Sequence, residues 1–469
     1  MKIKFDKNFW WGTATSGPQS EGSFGKYNQN IMDYWFKKNP KDFFDYIGPN
    51  VTSAMYYNFQ KDIKIMSFLK LNSFRTSIQW SRIIKNFETN EIDKQGLQFY
   101  RKYFSLLKEN GVKTIANLYH FDMPIYFQNI GGFENKRVVE KFVEYAKICF
   151  DNFSDLIDYW CTFNEPIVPI EGCYLYKWYY PKIVDFKKGV QAGYGTILAH
   201  AKTVNLFHEL FENEKDKKIG IILNLTPTYP KDNSIENLQA AKIRDLLFNK
   251  SFLDPIVKNE FSNELISLLR AHNLLPEFNS NEIVEIKKSK IDWLGVNYYQ
   301  PCRVKARDKP LNQLLPEMWY EPYDYPNKKI NPSRGWEIYP KAIYDIAIDI
   351  KNNYNNINWF ISENGIGIQN EYIHRNSKGF INDDYRIDFI KEHLYWLNKA
   401  IEEGANCFGY HLWTFIDCWS WANAYKNRYG IVELNLDNQK RIIKKSGYWF
   451  KHIIENDNEI YIDDSKLNI

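Results

Sequence analysis

Eight short, largely apolar segments recur along the 469 residues, with helix-like stretches between them, and this alternation limits the folds open to the chain. They are 9–16 (FWWGTATS), 72–80 (NSFRTSIQW), 113–120 (KTIANLYH), 158–165 (DYWCTFNE), 218–225 (KIGIILNL), 290–299 (KIDWLGVNYY), 358–364 (NWFISEN) and 407–415 (CFGYHLWTF). A short apolar run is what a parallel strand buried on both faces requires. Between them, 137–152 (RVVEKFVEYAKICFDN) is one of several stretches with apolar residues at helical spacing. Eight strands alternating with helices predict an α/β protein, a closed (β/α)8 barrel. An open doubly wound sheet is the alternative; its dinucleotide-binding form needs a Gly-rich turn after the first strand, and none is present. No linker divides the chain, so 1–469 is expected to form one barrel domain. The polar, Pro-rich 300–337 reads as a long loop at the barrel top.

Composition removes several classes of function. The 61 basic and 57 acidic residues leave +4, too little to imply a nucleic-acid or membrane-surface partner. The first residues lack the apolar run of roughly 7–15 residues of a signal peptide, and no stretch approaches the roughly 20 apolar residues of a membrane span. Six scattered cysteines read as buried thiols, and eight histidines show no metal-ligand spacing. A cytoplasmic protein is expected. Aromatic residues reach 17%, which suits sugar faces and ordinary cores alike, so they decide nothing by themselves.

The chemistry is expected where strands end. The third closes on His120-Phe121-Asp122, the fourth on Asn164-Glu165-Pro166, the sixth on Asn297-Tyr298-Tyr299 and the seventh on Glu363-Asn364-Gly365. In a barrel these ends open on one face, where substrates bind. Any single Asn or Glu there is an ordinary loop cap. Two glutamates from strands four and seven would instead point into one cavity from opposite walls. Acetal hydrolysis needs such a pair: one protonated carboxyl to help the alkoxide leave, one ionised carboxylate to attack the oxocarbenium carbon. No P-loop, HExxH, Ser-His-Asp order or dinucleotide fingerprint competes.

The motifs around these residues resemble a known family. TFNEP (162–166) and ISENG (361–365) are similar to the two signatures of glycoside hydrolase family 1, and FWWGTATSGPQSEG, SFRTSIQWSRI (73–83), LYHFDMP (118–124), GVNYYQP (295–301) and RYGIVELNL (428–436) fit the same family. The resemblance covers essentially the whole chain. It implies a (β/α)8 barrel, no metal or other cofactor, and retaining double displacement on β-glycosides. It makes Glu165 the acid/base and Glu363 the nucleophile, with Arg75 and Tyr299 holding the nucleophile's carboxylate. Gln19, His120, Asn164 and Trp413 match residues lining the sugar subsite; Asn297, at the end of strand six, joins the substrate-binding candidates. A cation at Arg75 would favour an ionised Glu363, and repulsion from Glu363 would keep Glu165 protonated near neutral pH.

The segment after the eighth strand bears on which sugar is cleaved. Family members acting on plain sugars carry a glutamate before the tryptophan of this loop, whereas here Asp417-Cys418-Trp419-Ser420-Trp421 has a serine. A carboxylate would repel a phosphate; a hydroxyl can donate to one. The loop WSWANAYKNRYG resembles that of bacterial 6-phospho-β-glycosidases, which implies Ser420 and Tyr429 as phosphate ligands. By direct counting the branch's lysine falls on Asn427, with Lys426 one step earlier and Arg428 one step later. A 6-phospho-β-glucosidase is the leading expectation. A 6-phospho-β-galactosidase remains open because Trp421 is retained, and so does a β-glucosidase acting on plain glycosides. A sugar-binding barrel that has lost catalysis is disfavoured, since binding alone does not need both glutamates.

Overall fold

The computed structural model describes residues 1–462. The last stretch of the expected 1–469 domain, 463–469, lies outside the described residues. All eight expected strands form: β1 (Trp10–Ala14), β2 (Ser73–Ser77), β3 (Lys113–Tyr119), β4 (Tyr159–Asn164), β5 (Lys218–Asn224), β6 (Trp293–Asn297), β7 (Trp359–Asn364) and β8 (Cys407–Trp413). They close into one barrel in sequence order, every neighbouring pair parallel. β2 and β7 are buried along their whole length, as strands must be when helices cover one side and a filled barrel the other.

Large side chains fill the barrel near the strand starts. Trp10, Ile115, Cys161, Ile222, Trp293 and Phe360, from six of the eight strands, pack there as one cluster. That end is solid core, and the open end is left to the loops that follow the strands.

The helices form for local reasons and bury one face. Lys136–Phe153 (α1 here) starts at Asn135, whose side chain accepts the Arg137 N–H, and buries Val138, Phe142, Tyr145, Cys149 and Phe153. Phe142 stacks on Phe163 of β4 with centroids 4.6 Å apart, one residue before Asn164. Truncating such a buried phenylalanine costs about 3–5 kcal/mol.

Residues 300–337 are more ordered than a plain loop. They contain short strands at Cys302–Lys305, Glu321–Pro322, Ile330–Asn331 and Trp336–Glu337, the last two forming a hairpin. Residues Lys2–Lys4 pair antiparallel with Glu459–Tyr461, tying the two ends of the described chain together. Five of the six cysteines are buried free thiols; Cys302 is partly exposed, on the edge of this insertion. Among the described residues no helix is long and apolar enough to cross a membrane.

Candidate active site

The two glutamates are brought to the same end of the barrel by strand register. β6 lies between β5 and β7, and its Asn297 pairs with Glu363 of β7. The Asn297 side chain reaches the other way, donating from Nδ2 to Glu165 Oε1 at 2.9 Å and to Asn164 Oδ1 at 3.1 Å. Glu165 has the left-handed backbone at φ 45°, and its N–H donates to the Ile222 carbonyl at 2.8 Å. The chain therefore turns sharply out of β4 while the carboxyl stays inside the barrel mouth.

Glu165 and Glu363 meet different surroundings. Glu165 accepts from a neutral amide, and burial first, then the charge of Glu363, pushes its carboxyl up to about 8. Like-charge repulsion was the expected cause; burial outranks it. Glu363 is ion-paired with Arg75 and accepts from the Tyr299 hydroxyl at 2.5 Å. Burial and the Glu363 charge hold the Tyr299 hydroxyl well above its usual range, so it stays a donor. Arg75 is fully buried; it also donates to the Thr15 carbonyl at 2.9 Å and lies 5.5 Å from the Trp413 ring. One carboxyl is thus set up as an acid and the other is gripped by donors on both oxygens.

The other expected sugar-site residues surround this pair. The His120 ring lies 3.4 Å from both Arg75 Nη1 and Asn164 Nδ2, and burial together with Arg75 drives it well below its usual range, leaving it neutral. Its ring runs nearly parallel to those of Trp413 at 6.2 Å and Trp421 at 6.0 Å. Gln19 donates to the Trp419 carbonyl at 2.9 Å and accepts from Ser16 at 2.8 Å. Asn297 Oδ1 is buried without a protein partner, an acceptor left over at the site.

The loop after β8 is held by a buried charge network. Lys444 donates to Asp417 at 2.8 Å and to Glu371 at 2.6 Å; Arg386 pairs with Glu371 at 2.7 Å and Asp383 at 2.8 Å, and donates to the Tyr429 carbonyl at 2.8 Å. Ser420, Asn427 and Tyr429 hang from this frame. Asn427 and Tyr429 are buried and Ser420 is partly exposed; Asn427 Oδ1 has no partner. Neighbouring cations point elsewhere. Lys426 Nζ lies 5.7 Å from the Phe44 ring, while Arg428 faces Asp417 at 3.7 Å and stacks 5.1 Å from Tyr425.

Two residues that the strand-end reasoning passed over also line this mouth. Trp336 lies 5.5 Å from the Tyr299 ring, and Arg334 stacks on Trp336 at 4.1 Å. Their signal in the sequence was weak: a basic residue two positions before a tryptophan, inside a segment read as loop.

A (β/α)8 barrel with an acid and a clamped carboxylate at the strand ends defines the class of glycoside hydrolases. The model of glycosyl hydrolase family 1 matches residues 1–459, and the chain belongs to that family. It is 50% identical over 460 residues to the 6-phospho-beta-glucosidase GmuD of Bacillus subtilis, covering 97% of this chain and 98% of that one. It is 34% identical over 484 residues to a 6-phospho-beta-galactosidase of Leptotrichia buccalis, covering 97% and 99%. The crystal structure of a family 1 β-glucosidase from Thermotoga maritima superposes with a TM-score of 0.88 at 31% identity, covering 97% and 99%.

Proposed function

We propose that this glycoside hydrolase is a retaining 6-phospho-β-glucosidase, the whole chain acting as one barrel domain, with Glu165 as acid/base and Glu363 as nucleophile. In the first step Glu363 attacks the anomeric carbon while Glu165 gives its proton to the departing oxygen. Forming the ester removes the charge of Glu363 and with it part of what holds Glu165 up. Glu165 then takes a proton from water, with the Asn297 amide stabilising its anion, and the water displaces Glu363. Arg75 and Tyr299 orient the nucleophile, and Gln19, His120, Asn164, Trp413 and Trp421 line the sugar subsite. The catalytic residues need no metal or organic cofactor.

The observation that carries the phosphate reading is Ser420, in the same loop as buried Asn427 and Tyr429, at the position where plain-sugar enzymes use a carboxylate. The loop's own carboxylate, Asp417, is already bound by Lys444. The 50% identity to an enzyme named 6-phospho-beta-glucosidase supports the same substrate class. A phosphate dianion does not cross lipid unaided, so this reading entails a cytoplasmic enzyme with a small phosphorylated sugar as its partner. Asn427, where the phospho branch has lysine, favours a second reading as a β-glucosidase on plain glycosides.

The test is the kcat/KM ratio for a chromogenic β-glucoside 6-phosphate over the plain glucoside. Charge-assisted hydrogen bonds are worth about 1.5–3 kcal/mol each, so two or more should favour the phosphorylated substrate by roughly a hundredfold or more. Ser420→Glu would set an anion against the phosphate and lower the ratio. A ratio near one in the unaltered enzyme favours the second reading.

A further inference from the structure

The phosphate loop has a gap: Arg428 faces Asp417, Lys426 lies over the Phe44 ring, and Asn427 brings no charge. We propose that Arg334, from the loop between β6 and the next helix, supplies the cation that holds the substrate's 6-phosphate. The inference rests on the phosphoglycosidase reading above and names a ligand from a different part of the chain.

Arg334 sits on the tip of the hairpin formed by Ile330–Asn331 and Trp336–Glu337. The tip is built to hold one shape. The Gly335 N–H donates to the Asn331 carbonyl at 2.8 Å from a left-handed φ of 70°, which glycine adopts without strain. Glu337 is ion-paired with Arg303 at 2.7 Å. The Asn331 amide donates to the Gly367 carbonyl at 2.9 Å, and Ser333 Oγ accepts the Gln369 N–H at 2.9 Å. Gly367 in turn lies flat against the Tyr429 ring, where a Cβ would overlap the ring atoms. The hairpin and Tyr429 are thus fixed to the same short stretch of backbone.

The guanidinium faces the right place. It stacks on Trp336 at 4.1 Å, and its charge opposes the upward push of burial on the Tyr429 hydroxyl. Its charge also reaches Tyr179, which packs 6.1 Å from Trp421 across the mouth. Its Nε is buried without a partner, and among the described residues no carboxylate pairs with it. An arginine left unneutralised, stacked on an indole and carried by a hairpin pinned to the backbone that packs on Tyr429, suits the bidentate recognition of a phosphate. Were it there only to cover Trp336, nothing would require its edge to stay free of an anion.

The experiment compares the unaltered enzyme with Arg334→Met and Arg334→Lys, using 4-nitrophenyl β-glucoside 6-phosphate and the plain glucoside, with glucose 6-phosphate and glucose as inhibitors. Arg334→Met should raise KM for the phosphorylated substrate and Ki for glucose 6-phosphate by roughly 10- to 100-fold. The loss on plain glucoside and glucose should be at least about tenfold smaller. Arg334→Lys keeps the charge without the fork and should recover part of the loss; should the Met variant not fold, a rise in KM for the phosphorylated substrate alone in the Lys variant supports the same conclusion. If the unaltered enzyme prefers the phosphorylated substrate while Arg334→Met loses equally on both substrates, or on neither, Arg334 is structural and only this inference falls. If the unaltered enzyme shows no preference for phosphate, the reading beneath it falls as well.

Discussion

Asn297 donates to Glu165 at 2.9 Å from a strand whose register pairs it with Glu363, so one residue links the two glutamates. The amide stabilises the ionised form of Glu165, while burial and Glu363 act against that form and leave the group at about 8. With Glu165 as the proposed acid, its protonated form is the one that works, so kcat/KM on a poor leaving group should fall as pH rises through about 8. Asn297→Leu removes a bond to the anion, which raises the proton affinity of Glu165 and moves this basic limb to higher pH. A pH profile on a phenyl glycoside substrate checks the sign; a limb that stays or moves down would show that Asn297 does not hold Glu165.

The glutamates should separate by leaving group. Glu363→Gln removes the proposed nucleophile and should abolish turnover of every substrate. Glu165→Gln should lose roughly 10²–10⁴-fold on a leaving group that needs protonation, yet spare the first step for dinitrophenolate. Azide, which attacks the glycosyl-enzyme without a general base, should then speed turnover. Equal loss on both kinds of substrate, without azide rescue, would contradict the roles.

The frame under the loop after β8 should fail by charge. Burial alone would push Asp417 up, but Lys444, Arg428 and Arg386 hold it below its usual range. A carboxyl depressed in the folded state contributes stability above its unfolded value and loses it as pH falls through the folded one. Lys444→Met leaves Asp417 and Glu371 short of a buried cation and should cost about 3–5 kcal/mol at neutral pH. Urea melts should show the deficit shrinking in acid, where the carboxyls take up protons. A deficit independent of pH would indicate lost packing alone.

Much of this was legible from residue order because barrel strands are buried on both faces and so print apolar runs, as 358–364 and 407–415 do. The strand ends pointed to the candidate site, since Asn164-Glu165 and Glu363-Asn364 stand where the runs stop. What stayed hidden depends on tertiary neighbours. Lys426 and Arg428 looked equally free to meet a phosphate, and only the fold shows Arg428 against Asp417 and Lys426 over Phe44. Arg334 lies in a stretch without hydrophobic period, and its approach to Tyr429 depends on a hairpin pinned by Asn331 to Gly367. The weight of burial on Glu165 was also invisible, because desolvation comes from every element around it at once.

Glu363 is proposed to form the covalent intermediate with a phosphorylated sugar. The most direct measurement is mass spectrometry of the digested enzyme after incubation with 2,4-dinitrophenyl 2-deoxy-2-fluoro-β-glucoside 6-phosphate in competition with its unphosphorylated form. The fluorine slows both steps and the activated leaving group restores the first, so the intermediate accumulates. The account predicts a label on the peptide containing Glu363, with the mass of the phosphorylated sugar. A label on Glu165, no covalent label, or a label carrying only the plain sugar would contradict it.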